Sequence, residues 1–278
     1  MKIGAHVSSS GSVDKAIDRA QEIGAECIQI FASGPTNWHV KAHPQKEIDA
    51  FKEKTKKTGI GPMVLHGVYL INLGSPNPDL VAKGIDSLIN YQKVASYLGG
   101  MGTIFHIGSH KGQSFEKVLP QVAAAFHKVL DAMPKDVSLI IENSAGMGNS
   151  IGATFTEIGA VIKAVGDPRV KVCLDTQHSF ANNYDVASKD GLNRAMEEFE
   201  KEIGVKKLVA VHANDSKCPL GGGLDRHDNI GEGPIGMKGF ANIMKHPAFK
   251  DVPFYLEVPG FANEGPDAKN VERLKELR

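Results

Sequence analysis

Along this chain, short runs of apolar and β-branched residues alternate with longer stretches of helical periodicity, and the short runs stop at residues able to bind a cation. The clearest is 170–174, Val-Lys-Val-Cys-Leu, which runs into Asp175 and, three residues on, His178. Its length and β-branched content predict a strand buried on both faces, the kind found in parallel sheets covered by helices. The pattern repeats at 63–65 before His66, 103–105 before His106, 137–141 before Glu142, 208–211 before His212 and 252–256 before Glu257. These six endings recur at roughly 30 to 45 residues, the length of a βα unit. One such ending reads as a polar strand cap; six in series do not. In parallel α/β folds the carboxyl ends of the strands face the active site.

Between the runs, a strand is expected over 2–6 and a helix over 13–23, where Ala16, Ile17, Ala20 and Ile23 share a face before Gly24. A strand follows over 26–31, then a loop, Ser33-Gly-Pro-Thr-Asn-Trp38, carrying the one tryptophan, a ring able to stack on a ligand. Helices are predicted over 45–58 and 78–98, the second broken by Gly99, Gly100 and Gly102. Pro120 is placed in the first turn of the next helix, whose stripe is Val122, Phe126, Val129 and Leu130, and Thr154-Phe-Thr-Glu157 fits a capping box. Two loops stand out. Residues 67–73 are unusually apolar for a loop on the catalytic face, with Tyr69 and Leu70 expected to meet a partner. Residues 213–234 are long and polar, and Gly221-Gly-Gly223 within them lacks phosphate-loop spacing, so the segment reads as a flexible lid.

The 278 residues fit one domain over 1–278, an α/β chain of barrel size. Lysine plus arginine equals aspartate plus glutamate at 32 each, so any affinity for nucleic acid has to come from a local patch. Cys27, Cys173 and Cys218 are far apart and show no CxxC spacing, which fits buried thiols in a reducing compartment. With no apolar run near the ~20 residues of a membrane span, the expectation is a soluble cytoplasmic protein that does not engage membranes.

The candidate ligands at the carboxyl face are His66, His106, Glu142, Asp175, His178, His212, Asp225, His227 and Glu257, five imidazoles and four carboxylates. Zinc takes about four ligands of these types, and a bridging carboxylate lets ions sit about 3.5 to 4 Å apart, so the set suits two or three ions. In an extended loop Asp225 and His227, at i and i+2, face the same way.

These residues also carry a resemblance. His66-Gly-Val-Tyr-Leu-Ile-Asn-Leu-Gly74, His106-Ile-Gly-Ser-His110, Glu142-Asn-Ser-Ala-Gly146, Leu174-Asp-Thr-Gln-His178, His212-Ala-Asn-Asp-Ser-Lys217, Asp225-Arg-His227 through Gly231-Glu-Gly233 and Leu256-Glu257 together resemble the endonuclease IV family of apurinic/apyrimidinic DNA repair nucleases. The likeness runs from Gly4-Ala-His-Val-Ser8 nearly to the end of the chain. It implies a single-domain (β/α)₈ TIM barrel with three zinc ions at its C-terminal face, Mn²⁺ replacing zinc at some positions. By resemblance His66, His106 and Glu142 hold one ion, Glu142 (bridging), Asp175, His212 and Glu257 a second, and His178, Asp225 and His227 the third. Glu142 and Glu257 are the catalytic carboxylates, and Tyr69 and Leu70 contact substrate. The implied activity is hydrolysis of the phosphodiester 5′ to an abasic site in double-stranded DNA, leaving a 3′-hydroxyl and a 5′-deoxyribose phosphate, with trimming of blocked 3′ ends, by a monomer. The chain departs from the family beside its ligands: Ile107 replaces a proline, Gln177 a cysteine, and Thr36 an arginine that enters the base stack.

Two other readings compete. A metal-dependent sugar isomerase or epimerase uses acid and histidine ligands on the same barrel, and fold alone does not separate it from a nuclease. A non-catalytic damage-binding protein is opposed by the complete ligand set.

Overall fold

The computed structural model describes residues 1–40 and 42–278. Its elements, in chain order, are β1 (Ile3–His6), α1 (Lys15–Glu22), β2 (Ile28–Phe31), α2 (Gln45–Thr58), β3 (Met63–His66), α3 (Pro78–Leu98), β4 (Gly102–Phe105), α4 (Phe115–Ala132), β5 (Ser138–Glu142), α5 (Phe155–Val165), β6 (Val170–Asp175), α6 (Thr176–Ala181), α7 (Lys189–Glu202), β7 (Leu208–His212), β8 (Asp215–Ser216), β9 (His227–Asp228), α8 (Gly236–Lys245), β10 (Phe254–Leu256) and α9 (Ala268–Lys275). Strands β1 to β7 pair in parallel in sequence order, and β10 closes the ring between β7 and β1. This is the expected (β/α)₈ barrel. Strands β8 and β9 form a separate antiparallel ribbon beyond β7.

Side chains alternate across a strand, so each barrel strand supplies one set to the interior and one to the helices outside. Cys27, Val64, Ile104, Ile140, Cys173, Ala210 and Tyr255 form one buried interior layer, drawn from six strands and from the residue just before β2. The residue two positions beyond each of these, on the same side of its strand, is Gln29, His66, His106, Glu142, Asp175, His212 and Glu257. The apolar layer is therefore the floor on which a polar layer stands at the carboxyl mouth. Gly4 belongs to the floor, where a Cβ would lie 1.7 Å from the Cys27 carbonyl oxygen, and His6 stands above it. The larger core fills the space between strands and helices, around Phe51, Phe126, Phe155, Phe199 and Phe240.

Helix ends follow local chemistry. Asn77 accepts from the Asp79 N–H at the start of α3, Pro78 takes the first turn, and Gly99 ends the helix in the left-handed region at φ 77°. α4 begins earlier than expected: the Ser114 hydroxyl accepts from the Lys117 N–H and opens the helix at Phe115, leaving Pro120 inside. Pro120 cannot donate to the Glu116 carbonyl, but both residues are exposed and water can take that place. At α5 only half the capping box forms. Thr154 Oγ1 accepts from the Glu157 N–H, while the Glu157 carboxylate takes the Gly152 and Ala153 N–H groups upstream.

Candidate metal centre

The mouth of the barrel gathers all nine expected ligands. His66 Nε2 and His106 Nε2 lie 3.1 and 3.2 Å from Glu142 Oε2. The other oxygen of the same carboxylate, Oε1, is 2.7 Å from His212 Nδ1, which is 3.3 Å from Glu257 Oε2 and 3.8 Å from Asp175 Oδ2. Glu142 thus stands between two groups. A third forms where α6 meets the ribbon: His178 Nε2 and His227 Nε2 are each 3.3 Å from Asp225 Oδ1 and 3.5 Å from one another. Asp175 Oδ2 is 3.7 Å from His227 Nε2, so Asp175 lies between the second group and the third as Glu142 lies between the first and second.

These separations fit ions. With bonds of about 2.0 to 2.1 Å to nitrogen or oxygen, tetrahedral geometry puts neighbouring ligand atoms about 3.3 Å apart. The ring orientations agree. His66 Nδ1 faces the Gly67 carbonyl at 2.8 Å, His178 Nδ1 that of Asn143 at 2.9 Å and His227 Nδ1 that of Glu257 at 3.2 Å. A carbonyl only accepts, so Nδ1 carries the hydrogen and the Nε2 lone pair turns toward carboxylates. A lone pair facing a carboxylate requires a proton or a cation between them.

Electrostatics give the same picture in protons. Burial opposes the charge on Glu142, yet the imidazoles of His106 and His212 hold its carboxyl well below the usual carboxylate range. Glu257, also buried, is lowered chiefly by His212 and by its bond to His6. Asp225 falls to about 2, burial being outweighed by His178. His178 is pushed up to about 10, burial being outweighed first by the charge of Asp175. Without ions, this cluster of opposed groups retains protons that ions would displace.

Several groups without an assigned role in the sequence reading hold the ligands in place. Gln29, wholly buried, donates through Nε2 to Glu257 Oε1 at 2.5 Å and faces His212 Nε2 through Oε1 at 2.8 Å. His6 Nδ1 lies 3.2 Å from Glu257 Oε1. Asn214 donates to Asp175 Oδ2 at 2.7 Å and accepts from the Glu257 N–H at 2.9 Å. Asn143 accepts from the Asp175 N–H and donates to Ser179 Oγ. Gln29 is uncharged and lies inside β2, so no strand-end charge marks it, and His6 ends β1 after Ile3-Gly-Ala5, a run too short and too glycine-rich to stand out. The period of two from Cys27 and Gly4 places them in the ligand layer.

The loops differ from the expectation in part. Within 67–73, Val68, Ile71 and Leu73 are buried and Leu70 is half-buried against the core, so only the Tyr69 ring, 60% exposed, projects as expected. Its edge contacts Phe31 and His66, with ring centroids 5.6 Å away in both cases. Trp38 is half-buried against the core and Thr36 is exposed. The segment read as a lid is stitched down: Gly221 and Gly223 donate to the Phe180 and Ala181 carbonyls, and Asp215 takes N–H groups of Gly231, Ile235 and Gly236. A cavity of about 470 Å³ opens over the ligands, with Tyr69, Arg226 and Glu257 on its wall. A groove of about 790 Å³ adjoins it across His6 and Phe31, lined by the turn from Ser8 to Ser12.

Comparison with known proteins agrees with this architecture. Residues 17–277 match the family described as xylose isomerase-like TIM barrel. The chain is 40% identical over 276 residues to a protein of Halothermothrix orenii named probable endonuclease 4, covering 99% of each. It is 38% identical to a protein of that name from Aquifex aeolicus, covering 99% of this chain and 96% of the relative. The crystal structure of endonuclease IV from Thermus thermophilus superposes with a TM-score of 0.88 at 31% identity, covering 100% of this chain and 98% of that one. A D-tagatose 3-epimerase-like protein, at a TM-score of 0.76 and 19% identity, shares the fold alone. With similarity at this level along its whole length, the chain belongs to the endonuclease IV family of the xylose isomerase-like TIM barrels.

Proposed function

We propose that this protein is a DNA repair endonuclease that hydrolyses the phosphodiester 5′ to an abasic site in double-stranded DNA, leaving a 3′-hydroxyl and a 5′-deoxyribose phosphate. The observation that carries this reading is the convergence of three ligand groups, joined by Glu142 and Asp175, on the floor of a cavity rimmed by an exposed aromatic ring and a guanidinium. His66, His106 and Glu142 would hold the first of three zinc ions; Glu142, Asp175, His212 and Glu257 the second; and His178, Asp225 and His227 the third. Mn²⁺ is accepted at some of these positions.

Divalent ions bound there supply Lewis acidity to both the attacking and the leaving oxygen of an in-line displacement at phosphorus. The chain's own groups provide the rest. Glu142 presents one oxygen to each of two ligand groups, so a single buried carboxylate sets their spacing. Glu257 is kept ionised and oriented by His6, Gln29 and His212, with its second oxygen turned to the cavity floor. Asn214 ties Asp175 to the backbone of Glu257, locking the ends of β6 and β10 together. At the rim, Arg226 offers a planar charge to backbone phosphate, and the Tyr69 ring faces the base stack.

With no net charge, affinity rests on such local contacts, and the groove beside the Ser8 to Ser12 turn gives a flanking backbone a polar track. An abasic nucleotide has no base to unstack, so moving it into the cavity costs little, which gives selectivity a physical basis. The same residues would serve to trim blocked 3′ ends, which present a phosphodiester or phosphomonoester to the same cavity. The protein acts as a monomer in the cytoplasm, where buried, unpaired Cys27, Cys173 and Cys218 remain reduced. No described helix is long and apolar enough to cross a membrane.

The test sets two turnovers side by side with zinc-loaded protein: nicking of an abasic duplex and ketose–aldose or epimer interconversion of free sugars. Nicking without sugar turnover supports the nuclease. Sugar turnover alone transfers the site to the epimerase chemistry of its fold relatives, and duplex binding without either turnover makes it a damage-binding protein.

A further inference from the structure

The third ligand group is built differently from the other two. The first two are held by residues at the ends of barrel strands, whereas Asp225 and His227 lie on the long segment between β7 and α8 and meet His178 on α6. Their position relative to His178 depends on whatever fastens that segment to α6. We infer that Gln177 is the positioning residue that sets this group, and so the affinity of the third ion; this rests on the three-ion reading above.

Gln177 is wholly buried, and its carboxamide donates to the Leu224 carbonyl at 2.9 Å and to Ser216 Oγ at 3.3 Å. Leu224 immediately precedes Asp225, and Ser216 is the register partner of His227 in the ribbon. One side chain, next to His178 in sequence, thus reaches a neighbour of Asp225 and a neighbour of His227. Other ties act beside it: the Lys217 N–H donates to the Arg226 carbonyl at 2.9 Å, between the two ligands, and His227 Nδ1 meets the Glu257 carbonyl at 3.2 Å, but neither bond reaches α6. The Gly221 and Gly223 bonds to α6 are made by backbone, and Asp215 fixes the base of the segment at Gly231, Ile235 and Gly236. Met147 Sδ accepts from the Asp225 N–H at 3.2 Å, but a thioether is a weak acceptor.

Gln177 also carries a cost. Its Oε1 is buried with no hydrogen-bond partner among the described residues, a loss that an apolar side chain of equal length would avoid. A buried amide whose acceptor is left unpaired while its donors hold the neighbours of two ligands is what a positioning role explains and packing alone does not.

The experiment uses the full chain carrying Gln177→Met, which keeps length and volume and removes both donors. Zinc-free protein is equilibrated against a series of free zinc concentrations, bound zinc per chain is measured, and the zinc-free melting temperature is recorded in parallel. Wild type should fill three sites. The variant should fill two with unchanged affinity and the third about ten- to a hundredfold more weakly, with zinc-free melting at or above wild type. Three sites at wild-type affinity in the variant overturn the assignment, as does equal weakening of all three with a lowered melting temperature. If Gln177→Met melts below wild type, Gln177→Asn, which keeps the amide but falls a methylene short of Leu224, repeats the measurement: a weakened third site supports the role and an unchanged one overturns it. Wild type that never binds a third ion contradicts the three-ion reading itself, an outcome distinct from failure of the Gln177 assignment.

Discussion

Replacing Tyr69 by alanine separates a side chain that meets DNA from one that packs its own loop. The ring is 60% exposed and makes edge-type ring contacts with Phe31 and His66, while the Tyr69 N–H is held by the Pro35 carbonyl at 2.9 Å through backbone that the substitution leaves intact. Two edge contacts on a largely exposed ring amount to about 1 kcal/mol, which lowers the melting temperature by about 2–4 °C for a chain of this size. Stacking on a base is worth roughly 1–3 kcal/mol, so affinity for an abasic duplex should fall by about ten- to a hundredfold. Titration of wild type and Tyr69→Ala against abasic and intact duplexes at one fixed salt concentration, with zinc content and melting recorded alongside, reads all three quantities. Unchanged abasic affinity with a melting loss well beyond a few degrees refutes the reasoning and makes Tyr69 a packing residue.

The reverse change is expected from Thr36→Arg: an exposed arginine adds charge and a planar group, so the same titration should show tighter binding, more so at low salt. Glu142→Gln should reduce kcat at least about tenfold more than His227→Ala, because Glu142 faces two ligand groups and His227 belongs to the third; steady-state rates with zinc content measured on the same samples check this. In zinc-free protein the His178 pKa, raised from about 6.5 to about 10, contributes stability that is complete below the lower value and lost as pH rises through the upper. Melting temperature of the zinc-free form should therefore fall across that window, and saturating zinc should flatten the slope, as dye-monitored melts will show. Gly4→Ala should cost about 3 kcal/mol or more by denaturant titration, since the added carbon would lie 1.7 Å from the Cys27 carbonyl oxygen and β1 cannot shift without disturbing its pairing with β2.

The barrel and the cluster at its mouth were legible because one physical pattern encodes both. A strand buried on two faces must be apolar until it leaves the sheet, so the first charged residue after each run marks the mouth, and His66, Glu142, Asp175, His212 and Glu257 are all found that way. Groups that act through hydrogen bonds left weaker traces. Gln29 lies in the ligand layer but is uncharged and interior to β2, His6 ends β1 after a short run broken by Gly4, and Asn143 and Asn214 sit one or two residues past a ligand position, where sequence alone does not tell an orienting amide from a loop residue. The ribbon formed by β8 and β9 has two residues per strand, too few for any periodicity to register. Apolar content in 67–73 suggests exposure, but most of it turns inward, because this loop is tied by backbone bonds to Ile104 and Ile107 and packs Ile71 and Leu73 against Gly84 of α3. The start of α4 was misplaced because proline usually marks a first turn, whereas here the Ser114 cap decides the boundary.

The central claim is most directly tested by the ends left on DNA. A duplex with a single abasic site, labelled at the 5′ end of the damaged strand, is incubated with zinc-loaded and with chelator-stripped protein, and the labelled product is offered to a DNA polymerase. The account predicts a single cut by the loaded protein, immediately 5′ to the abasic residue, giving a product that the polymerase extends, and no cut by the stripped protein until zinc is restored. An intact strand after incubation with fully loaded protein, or a product blocked to extension because the break lies 3′ to the lesion, would contradict it.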